Sequence, residues 1–562
     1  MRKATFTVRT SEHPDAMRTL TLLPALLLAS ITNAQWAAPS ANTPVRVAGG
    51  VEAVTPLAAP GPDGSTYICW FEQAGAGYVL RMQRLDVDGV PLWDPAGLLV
   101  SDAPQSTAIF RYDLASDAAG NAIVAFQDVR SGPLDAVACK VTPDGALPWG
   151  NGLLLPTPGS TGLAPSIGVL TDDRLVFAWT TDETPGTVAY RVLAPDGTPD
   201  PIGTQVVAVA ERTLSRPKVV PTSDGGFWLQ YVEQTGNFLS PGTLMAMRST
   251  ASLEMGEAVA LSTSTVAGFY FPQPVPDGHD GMYVAINTGN PANPNLSEVA
   301  LLRLRADGSR WSNAGTPVEL GTTTQRYTMT ATPALVNDDD GLMMVYRRTD
   351  LNQNQGGLAV QRLDTAGNRL LGDAAVQLLP LSSSLPGPFA NAAVGDGIVC
   401  AQMQGGFGSQ TLSAFRLALN GGLVDPPAEI PLCTVTSGKD DPTLVPFRNG
   451  QAVAVWTDER SGSGIYAQNL QVQGSTGLAE AQPSPLRVLG GDVPALLFPN
   501  GTDHAGTLRL LSADGRLLHH RILPAQAPGA QWALPMHHLA PGAYLLVLDL
   551  PGARHSERLV KP

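Results

Sequence analysis

The sequence predicts an all-β protein, in which an eight-bladed β-propeller is followed by a small C-terminal β-sandwich. Three observations support this prediction. The 562 residues include 58 glycines and 48 prolines but only 15% charged residues, a composition typical of short strands joined by turns. A unit of strands and turns recurs between about residues 50 and 474. The last eighty or so residues break this repeat but keep apolar patterns of strand length.

Each repeat contains a hydrophobic strand, a polar turn, a second strand and a further turn. The first of these strands ends at a position that is aromatic in most of the eight copies, spaced 52 to 60 residues apart: Trp70, Phe126, Trp179, Tyr231, Ile286, Tyr346, Gln402 and Trp456. The second strand is predicted at residues 80–85, 136–141, 188–193, 244–249, 300–305, 358–363, 412–417 and 465–470. An Asp-Gly or Asn-Gly type of turn follows most of these strands, as tight hairpins require.

The two ends of the repeat array indicate how it is arranged. Units of this length could stack as a linear solenoid or close as a propeller. The last unit stops near Gly474 without its outer strand, while a matching strand at residues 44–49 precedes the first unit. The N-terminal strand would therefore complete the last blade and close the ring, which removes exposed sheet edges. Seven blades are the alternative, if the eroded copy around Gln402 is something else.

Residues 1–34 are predicted to be a signal peptide, with Met17 as the true start. An apolar run at residues 20–31 is followed by small residues that suit cleavage before Gln35. This run is shorter than the roughly 20 apolar residues of a membrane span, and no later segment is long enough either. The formal charge of −14 argues against nucleic acid as a partner. We therefore expect an exported protein with residues 35–474 as its propeller.

The C-terminal part, residues 483–562, follows a small and polar linker at residues 475–482. It resembles the type A C-terminal sorting domain of the type IX secretion system, a family of Bacteroidota. Four segments carry the resemblance: Pro483-Ser484-Pro485, where the family usually has Pro-Asn-Pro, residues 508–516 (LRLLSADGR), residues 539–547 (LAPGAYLLV) and residues 558–561 (RLVK). The resemblance implies passage through the periplasm to the outer surface with the type IX machinery as partner, followed by release or attachment to the outer membrane.

Histidine chemistry is nearly excluded from the predicted propeller. His279 is its one histidine, and its Pro-Asp-Gly-His-Asp-Gly context is typical of a turn, whereas a Ser-His-Asp triad or a multi-histidine metal site needs more. The adjacent pairs His519-His520 and His537-His538 would point to opposite faces of a strand. Residues 337–341 (NDDDG) are a candidate calcium loop but lack the ligand spacing of an EF-hand.

We therefore assign no catalytic, cofactor-binding or metal-binding residues, and we expect no cofactor. The four cysteines are far apart in the sequence and are expected to be buried small hydrophobic residues: Cys69, Cys139, Cys400 and Cys433. Most acidic residues fall in predicted turns, where hydrogen bonds to the backbone account for them.

One motif recurs within the repeats, at residues 456–462 (WTDERSG) and residues 126–132 (FQDVRSG). It resembles the Trp-x-Asp-x-Arg-x-Gly blade motif of secreted bacterial propeller repeats and differs from the sialidase Asp-box. The resemblance implies an Asp-Arg pair across a turn, and because the motif recurs we expect it to be structural. Aromatic residues that could stack on sugars are mostly interpreted as blade core: Phe227-Trp228, Phe269-Tyr270-Phe271 and Phe407.

The function that these observations favour is binding rather than catalysis. We expect a secreted or cell-surface propeller that binds an extracellular protein or polysaccharide through the loops of one face. One alternative is a carboxylate-dependent glycan hydrolase or lyase with its site in the propeller channel, since such chemistry needs only two carboxylates. Another is a passive structural protein of the cell envelope. Propellers host many functions, so the fold alone does not decide among these.

Overall fold

The computed structural model describes a large part of the chain between Trp36 and Lys561. The described residues are 36–47, 49–106, 108, 112–132, 134–157, 161–182, 184–237, 240–266, 271–290, 293–320, 325–328, 334–335, 341–384, 386–394, 397–424, 429–471, 487–489, 495–498, 505–512, 517–527, 529–534, 536, 539–550 and 553–561. The predicted signal peptide and the predicted linker at residues 475–482 lie outside them, as do residues 337–340 of the candidate calcium loop.

The body of the protein is a succession of antiparallel sheets, seven of them formed by consecutive strands and the eighth completed by the N-terminal strand. Sheet 1 has β2 (Ala53–Pro60), β3 (Thr66–Ala74), β4 (Gly77–Leu85) and β5 (Leu98–Gln105); sheet 2 has β6 (Asp113–Ser116), β7 (Ala122–Asp128), β8 (Asp135–Val141) and β9 (Leu153–Leu154); sheet 3 has β10 (Gly162–Val169), β11 (Leu175–Thr181), β12 (Val188–Leu193) and β13 (Gln205–Val207); sheet 4 has β14 (Thr213–Pro221), β15 (Phe227–Gln234), β16 (Gly242–Ser249) and β17 (Val259–Val266).

The second half of the body repeats this arrangement. Sheet 5 has β18 (Val275–Pro276), β19 (Met282–Asn290), β20 (Asn293–Leu304) and β21 (Thr316–Pro317); sheet 6 has β22 (Gln325–Thr328), β23 (Ala334–Leu335), β24 (Leu342–Asp350), β25 (Gly356–Leu363) and β26 (Val376–Ser382); sheet 7 has β27 (Phe389–Val394), β28 (Gly397–Gln404), β29 (Gln410–Ala418) and β30 (Ile430–Ser437); sheet 8 has β31 (Lys439–Arg448), β32 (Gln451–Asp458), β33 (Gly464–Gln471) and the N-terminal β1 (Thr43–Arg46). In sheet 6, β22 and β23 both pair with β24, so they share the place of the first strand. The all-β propeller body that the repeats predict is thus present.

Neighbouring sheets are held together by apolar side chains. Each pair of consecutive sheets shares a buried cluster, such as the one that joins Phe71 of sheet 1 to Phe126 of sheet 2. A further cluster joins sheet 1 to sheet 8, where Trp70 lies with Val455 and with Val45 of β1. Burying a large apolar side chain contributes roughly 1.5 to 3 kcal/mol, so these clusters account for much of the cohesion between sheets.

The eight repeat positions identified in the sequence occupy equivalent places. Each lies in the second strand of its sheet, and each side chain is at most 1% exposed. Ile286 and Gln402, which interrupt the aromatic pattern, are as buried as the others. The copy around Gln402 forms a four-stranded sheet like its neighbours. The strand that follows in each predicted repeat is also present and is the third strand of its sheet, namely β4, β8, β12, β16, β20, β25, β29 and β33.

The turn after the third strand has the tight, positive-φ conformation that its Asp-Gly sequence predicts. In sheet 1, Gly89 has φ +81°, and the ring of Trp36 lies 2.7 Å from the place where a Cβ atom would stand. The indole of Trp36 donates a hydrogen bond to the Val87 carbonyl oxygen at 2.9 Å. A side chain at residue 89 would therefore strain the turn and displace Trp36, which leads into β1.

The C-terminal part forms two small sheets. One has β35 (Ala495–Phe498) between β34 (Arg487–Leu489) and β38 (Ala530–Ala533); the other has β36 (Gly506–Ser512) between β37 (Leu517–Leu523) and β39 (Gly542–Leu550), with β40 (Ala553–Lys561) at the far edge. Phe498 of one sheet and Leu510 and Leu546 of the other belong to one buried cluster. This is the sandwich arrangement that the strand pattern predicts, although the sequence did not indicate β34 or β38.

Helices contribute little to the described part of the chain. The one assigned there is a short 3-10 helix at Pro62–Gly64. Within the same residues, no helix has the length and apolar character that crossing a bilayer would need.

Candidate functional site: the hairpin face

The loops between the second and third strands of the sheets form the surface that we call the hairpin face. In each sheet the second strand ends at this face, because a hairpin turns the chain there into the third strand. The turns after the first and third strands lie at the other end. Two kinds of residue meet at the hairpin face: charged groups buried at the strand ends and side chains exposed on the hairpin tips.

Buried charged groups connect several sheets to the sheet before them. Asp128, two residues after Phe126, accepts a hydrogen bond of 2.7 Å from Ser101 in the outer strand of sheet 1. Asp458, two residues after Trp456, accepts an equivalent bond of 2.7 Å from Ser437 in the outer strand of sheet 7. The recurring motif therefore fastens neighbouring sheets.

Asp458 is the most completely buried of these groups. Its side chain and that of Lys439 are both 0% exposed, with the Lys439 ammonium 3.1 Å and the Arg460 guanidinium 2.6 Å from the same carboxylate oxygen. The Trp456 indole donates to that oxygen as well, at 2.9 Å. Burial by itself raises the pKa of Asp458, but hydrogen bonds from Arg460, Ser437 and Trp456 outweigh it and hold the pKa well below its ordinary value.

The Asp-Arg pair that the motif predicts is confirmed in both copies. Asp128 and Arg130 are joined at 2.6 Å, the same separation as in the pair of sheet 8. In both cases the aspartate is nearly or fully buried, while the arginine retains some contact with solvent. Because each carboxylate is paired and also bonded to the preceding sheet, the geometry supports a structural role for the motif.

Two other sheets have different charged side chains at the corresponding position. Glu72 of sheet 1 lies 2.5 Å from Arg46 of β1 and 2.7 Å from Arg81. In sheet 6, Arg348 pairs with the buried Glu319 of sheet 5. Tyr346 donates a hydrogen bond to Glu319 as well, and burial together with this carboxylate raises the pKa of the Tyr346 phenol. These carboxylates are thus engaged in ion pairs within the fold.

Arg460 also binds the N-terminal segment. Its guanidinium donates to the Ala41 carbonyl oxygen at 3.0 Å and to the Asn42 side-chain oxygen at 2.9 Å. The Asn42 amide in turn donates to the Leu432 carbonyl oxygen at 2.7 Å and to Gln468 at 2.8 Å. Asn42, which is 2% exposed, therefore bridges sheets 7 and 8 just before β1 begins.

The first strands of four sheets share a bulge that the sequence analysis did not identify. In each bulge a residue with positive φ precedes a proline, and the strand carries one residue more than its partner: Thr55 (φ 51°), Ala164 (φ 48°), Arg216 (φ 57°) and Asp441 (φ 50°). The amide of Ala164 donates to Gln127 of the preceding sheet at 3.0 Å, and that of Arg216 to Thr180 at 3.1 Å. The Xaa-Pro step within a strand was the available signal, since proline is confined to edges and bulges.

The bulge of sheet 4 places a nearly buried cation beside an aromatic ring. The Arg216 guanidinium lies 5.1 Å from the centroid of the Phe271 ring, which belongs to the segment before β18. Burial lowers the pKa of Arg216 to about 10. Nearby in the same strand, Lys218 lies 3.6 Å from Asp113 of sheet 2.

Phe407 lies at the tip of the hairpin of sheet 7, and its side chain is fully exposed. The interpretation of this residue as blade core is therefore wrong. The reason is local: Gly405 (φ 107°), Gly406 and Gly408 (φ 78°) form the hairpin around it, and these residues provide no side chain that could cover the ring. By contrast, Phe227 and Trp228 are at most 3% exposed and are core residues, as expected.

The hairpin of sheet 6 is next to that of sheet 7 and carries residues of similar character. Leu351 at its start is 42% exposed. Four amide residues follow, Asn352 to Gln355, and all four are exposed. The loop closes through Asp350, whose amide donates to the Gln355 carbonyl oxygen at 3.1 Å and whose carbonyl oxygen accepts from the Gln353 amide at 3.0 Å.

The remaining residues singled out in the sequence are placed as follows. His279 lies in the turn between β18 and β19, where its amide donates to the Asp277 carboxylate at 2.9 Å, in agreement with the predicted turn. His519 and His520 are adjacent on β37, while His537, His538, Phe269 and Tyr270 lie outside the described residues. The four cysteines are buried and free, and burial raises the pKa of their thiols. No group of three or more metal-ligating side chains is found in the described part.

Comparison with known proteins gives distant structural likeness. No family model and no curated protein matches this chain. Among solved structures, it is similar to a PL25 ulvan lyase bound to an oligosaccharide (10% identity, TM-score 0.42, 77% of this chain and 97% of that one). It is also similar to the polysaccharide lyase Uly1 (10%, 0.39, 78% and 92%) and to a GH43 endo-arabinanase from Bacillus licheniformis (13%, 0.25, 48% and 98%). Likeness at this level does not assign an activity or a substrate to the chain.

Proposed function

We propose that this chain is an exported β-propeller protein that binds an extracellular ligand through its hairpin face, without catalysis. The observation that carries the proposal is the fully exposed Phe407 on its glycine-rich hairpin. A large apolar ring held away from its own fold offers apolar surface that a partner can bury, and aromatic residues are enriched where proteins bind ligands. An exposed tip of this kind is therefore typical of a contact residue.

The charged groups of the same face favour binding over catalysis. Asp128, Asp458, Glu72 and Glu319 are each paired with basic side chains that hold sheets together. A general acid or base must reach the substrate with a pKa near the working pH. The pKa of Asp458 instead lies below its ordinary value, and the group is fully buried.

We further infer that the eight sheets form a closed eight-bladed ring. Two observations support this inference: β1 pairs with β33 and supplies the fourth strand of sheet 8, and a buried cluster joins sheet 8 to sheet 1. A view down the ring axis in an experimental structure tests it. Seven blades, or a gap between the first and last sheets, would contradict it.

The second part of the proposal concerns the localisation of the protein. We infer that residues 483–562 act as a type IX sorting domain and deliver the propeller to the outer surface. Two of the motif segments meet in the sandwich: the Lys561 ammonium donates to the Met536 carbonyl oxygen at 2.8 Å and to that of Leu539, and the Tyr544 hydroxyl donates to that of Ala540. These contacts join the segment that carries the tyrosine hairpin to the closing strand, as a common role of the two segments requires.

A ligand screen tests the proposed function. The chain from Gln35 onward is presented to arrays of glycans and extracellular matrix proteins, and the same ligands are assayed for product. We expect saturable binding without turnover. Turnover would favour the alternative of a carboxylate-dependent glycan hydrolase or lyase, and the absence of both binding and turnover would leave the passive structural role.

A further inference from the structure

We propose that the hairpins of sheets 6 and 7 together bind an uncharged, hydroxyl-rich polysaccharide. This inference rests on the proposed function and names the class of its ligand. The binding residues are Leu351, the four amides Asn352 to Gln355, and Phe407, which we call the amide-aromatic patch.

The side chains of the patch have the chemistry that sugar hydroxyls require. Each asparagine or glutamine amide offers two donors and one acceptor carbonyl, so a single side chain can bond both the hydrogen and the oxygen of sugar hydroxyls. All four amide side chains of the sheet 6 hairpin are exposed, because the loop closes through the backbone and the carboxylate of Asp350. The amide side chains are therefore free to face a ligand while the loop keeps its shape.

An exposed aromatic group lies on the neighbouring hairpin. Phe407 belongs to the next sheet, so its hairpin and the amide hairpin are neighbours on the same face. Its ring is fully exposed, and a Cβ atom added at either Gly406 or Gly408 would meet nothing within 4 Å. A sugar ring could thus lie flat on the phenyl face, where C-H groups meet the negative side of the ring quadrupole.

The charges around the patch indicate the class of ligand. Residues 351–355 and 405–409 carry no ionisable side chain. The carboxylate of Asp350 adjoins the patch and accepts a hydrogen bond from the Gln355 backbone amide at 2.8 Å. Exposed carboxylates follow on the neighbouring sheet 8, at Glu459, Asp440 and Asp441, where the Lys439 backbone amide donates to Gln410 at the end of the Phe407 hairpin at 2.9 Å. Acidic groups on both sides of the patch disfavour uronic acid or sulfate groups, so an uncharged polysaccharide is the fitting ligand.

The experiment measures binding of the chain from Gln35 onward to neutral polysaccharides, namely xylan, mannan, dextran and β-glucan, with alginate and pectate as anionic probes. We expect at least one neutral polysaccharide to bind. Phe407→Ala should weaken that binding roughly tenfold, about 1.4 kcal/mol, by loss of the stacking surface. Phe407→Tyr should preserve the affinity, and replacement of all four amides by alanine should weaken it as well.

The matched control is Leu423→Ala, because Leu423 is 44% exposed in the turn after the third strand of the same sheet, at the opposite end. Its affinity should equal that of the unsubstituted chain. Binding of the anionic probes alone, or of proteins alone, that is weakened in Phe407→Ala would overturn this inference and leave the proposed function intact. Binding of neutral glycans that is unchanged in Phe407→Ala would contradict both this inference and the proposed use of the hairpin face. If no ligand of any class binds, both fall together.

Discussion

Replacement of Asp458 by alanine should lower the free energy of unfolding by about 3 to 5 kcal/mol, the range for removing one member of a buried ion pair. The Lys439 ammonium, which is 0% exposed, would remain in the interior without its carboxylate. The hydrogen bonds from Trp456 and Ser437 would be lost at the same time. Urea denaturation followed by tryptophan fluorescence measures the change.

Two comparisons make this prediction specific. Asp128→Ala removes the equivalent carboxylate of sheet 2. Because the Arg130 side chain there is 18% exposed and can turn to water, this replacement should lower the free energy of unfolding less than Asp458→Ala does. Glu459→Ala removes an exposed carboxylate next to Asp458 on the same face and should change stability by less than about 0.5 kcal/mol. If Asp458→Ala lowered the free energy of unfolding no more than Glu459→Ala, Asp458 would not fasten sheet 8 to sheet 7.

Acidification should reduce the difference in free energy of unfolding between the Asp458→Ala variant and the parent chain. The pKa of Asp458 is lower in the folded protein than its ordinary value. Its contribution to stability is therefore present above the ordinary carboxyl pKa of about 3.9 and is lost as the pH falls towards the lower folded value. A difference that stayed constant from neutral pH into strong acid would contradict this assignment.

Deletion of residues 483–562 should abolish delivery to the outer surface and leave the propeller in the periplasm. The propeller keeps its own buried clusters without this segment, so we expect the truncated chain to fold. Protease accessibility and antibody labelling of intact cells of a type IX-competent host measure the outcome. Labelling of the truncated chain at the surface would overturn the proposed role of residues 483–562 in delivery.

A point variant supports the deletion. Lys561→Met removes the ammonium that holds the Met536 and Leu539 carbonyl oxygens, and delivery should fall because the closing strand loses its anchor to the tyrosine hairpin. Arg521→Ala changes a surface group of the same domain that stacks on Trp532 at 4.3 Å, outside the four motif segments. Delivery of this control should match that of the parent chain.

The sequence was most informative where packing imposes a period. Trp70, Trp179 and Trp456 sit between two sheets, so their burial recurs with each repeat and is visible without a structure. The same reasoning found the strand that pairs with β33, because an array missing one strand at its end needs one from elsewhere. The Asp-Arg pair followed from the recurring motif in the same way.

Features that depend on local geometry were missed. The exposure of Phe407 follows from three surrounding glycines rather than from any period, so its apolar character suggested a core residue. The left-handed bulges at Thr55 and Arg216 interrupt the alternation that identifies strands, and their signal is the following proline. The strands β34 and β38 have only three and four residues, too few for a periodic pattern.

Hydrogen-deuterium exchange with and without the polysaccharide that binds most tightly tests most directly whether the hairpin face is the binding surface. We predict slower exchange in the hairpins at residues 350–356 and 404–410, with unchanged exchange in the turns at the opposite end, such as residues 419–423. Protection confined to those opposite turns, or to the first strands around Arg216 and Asp441, would contradict it.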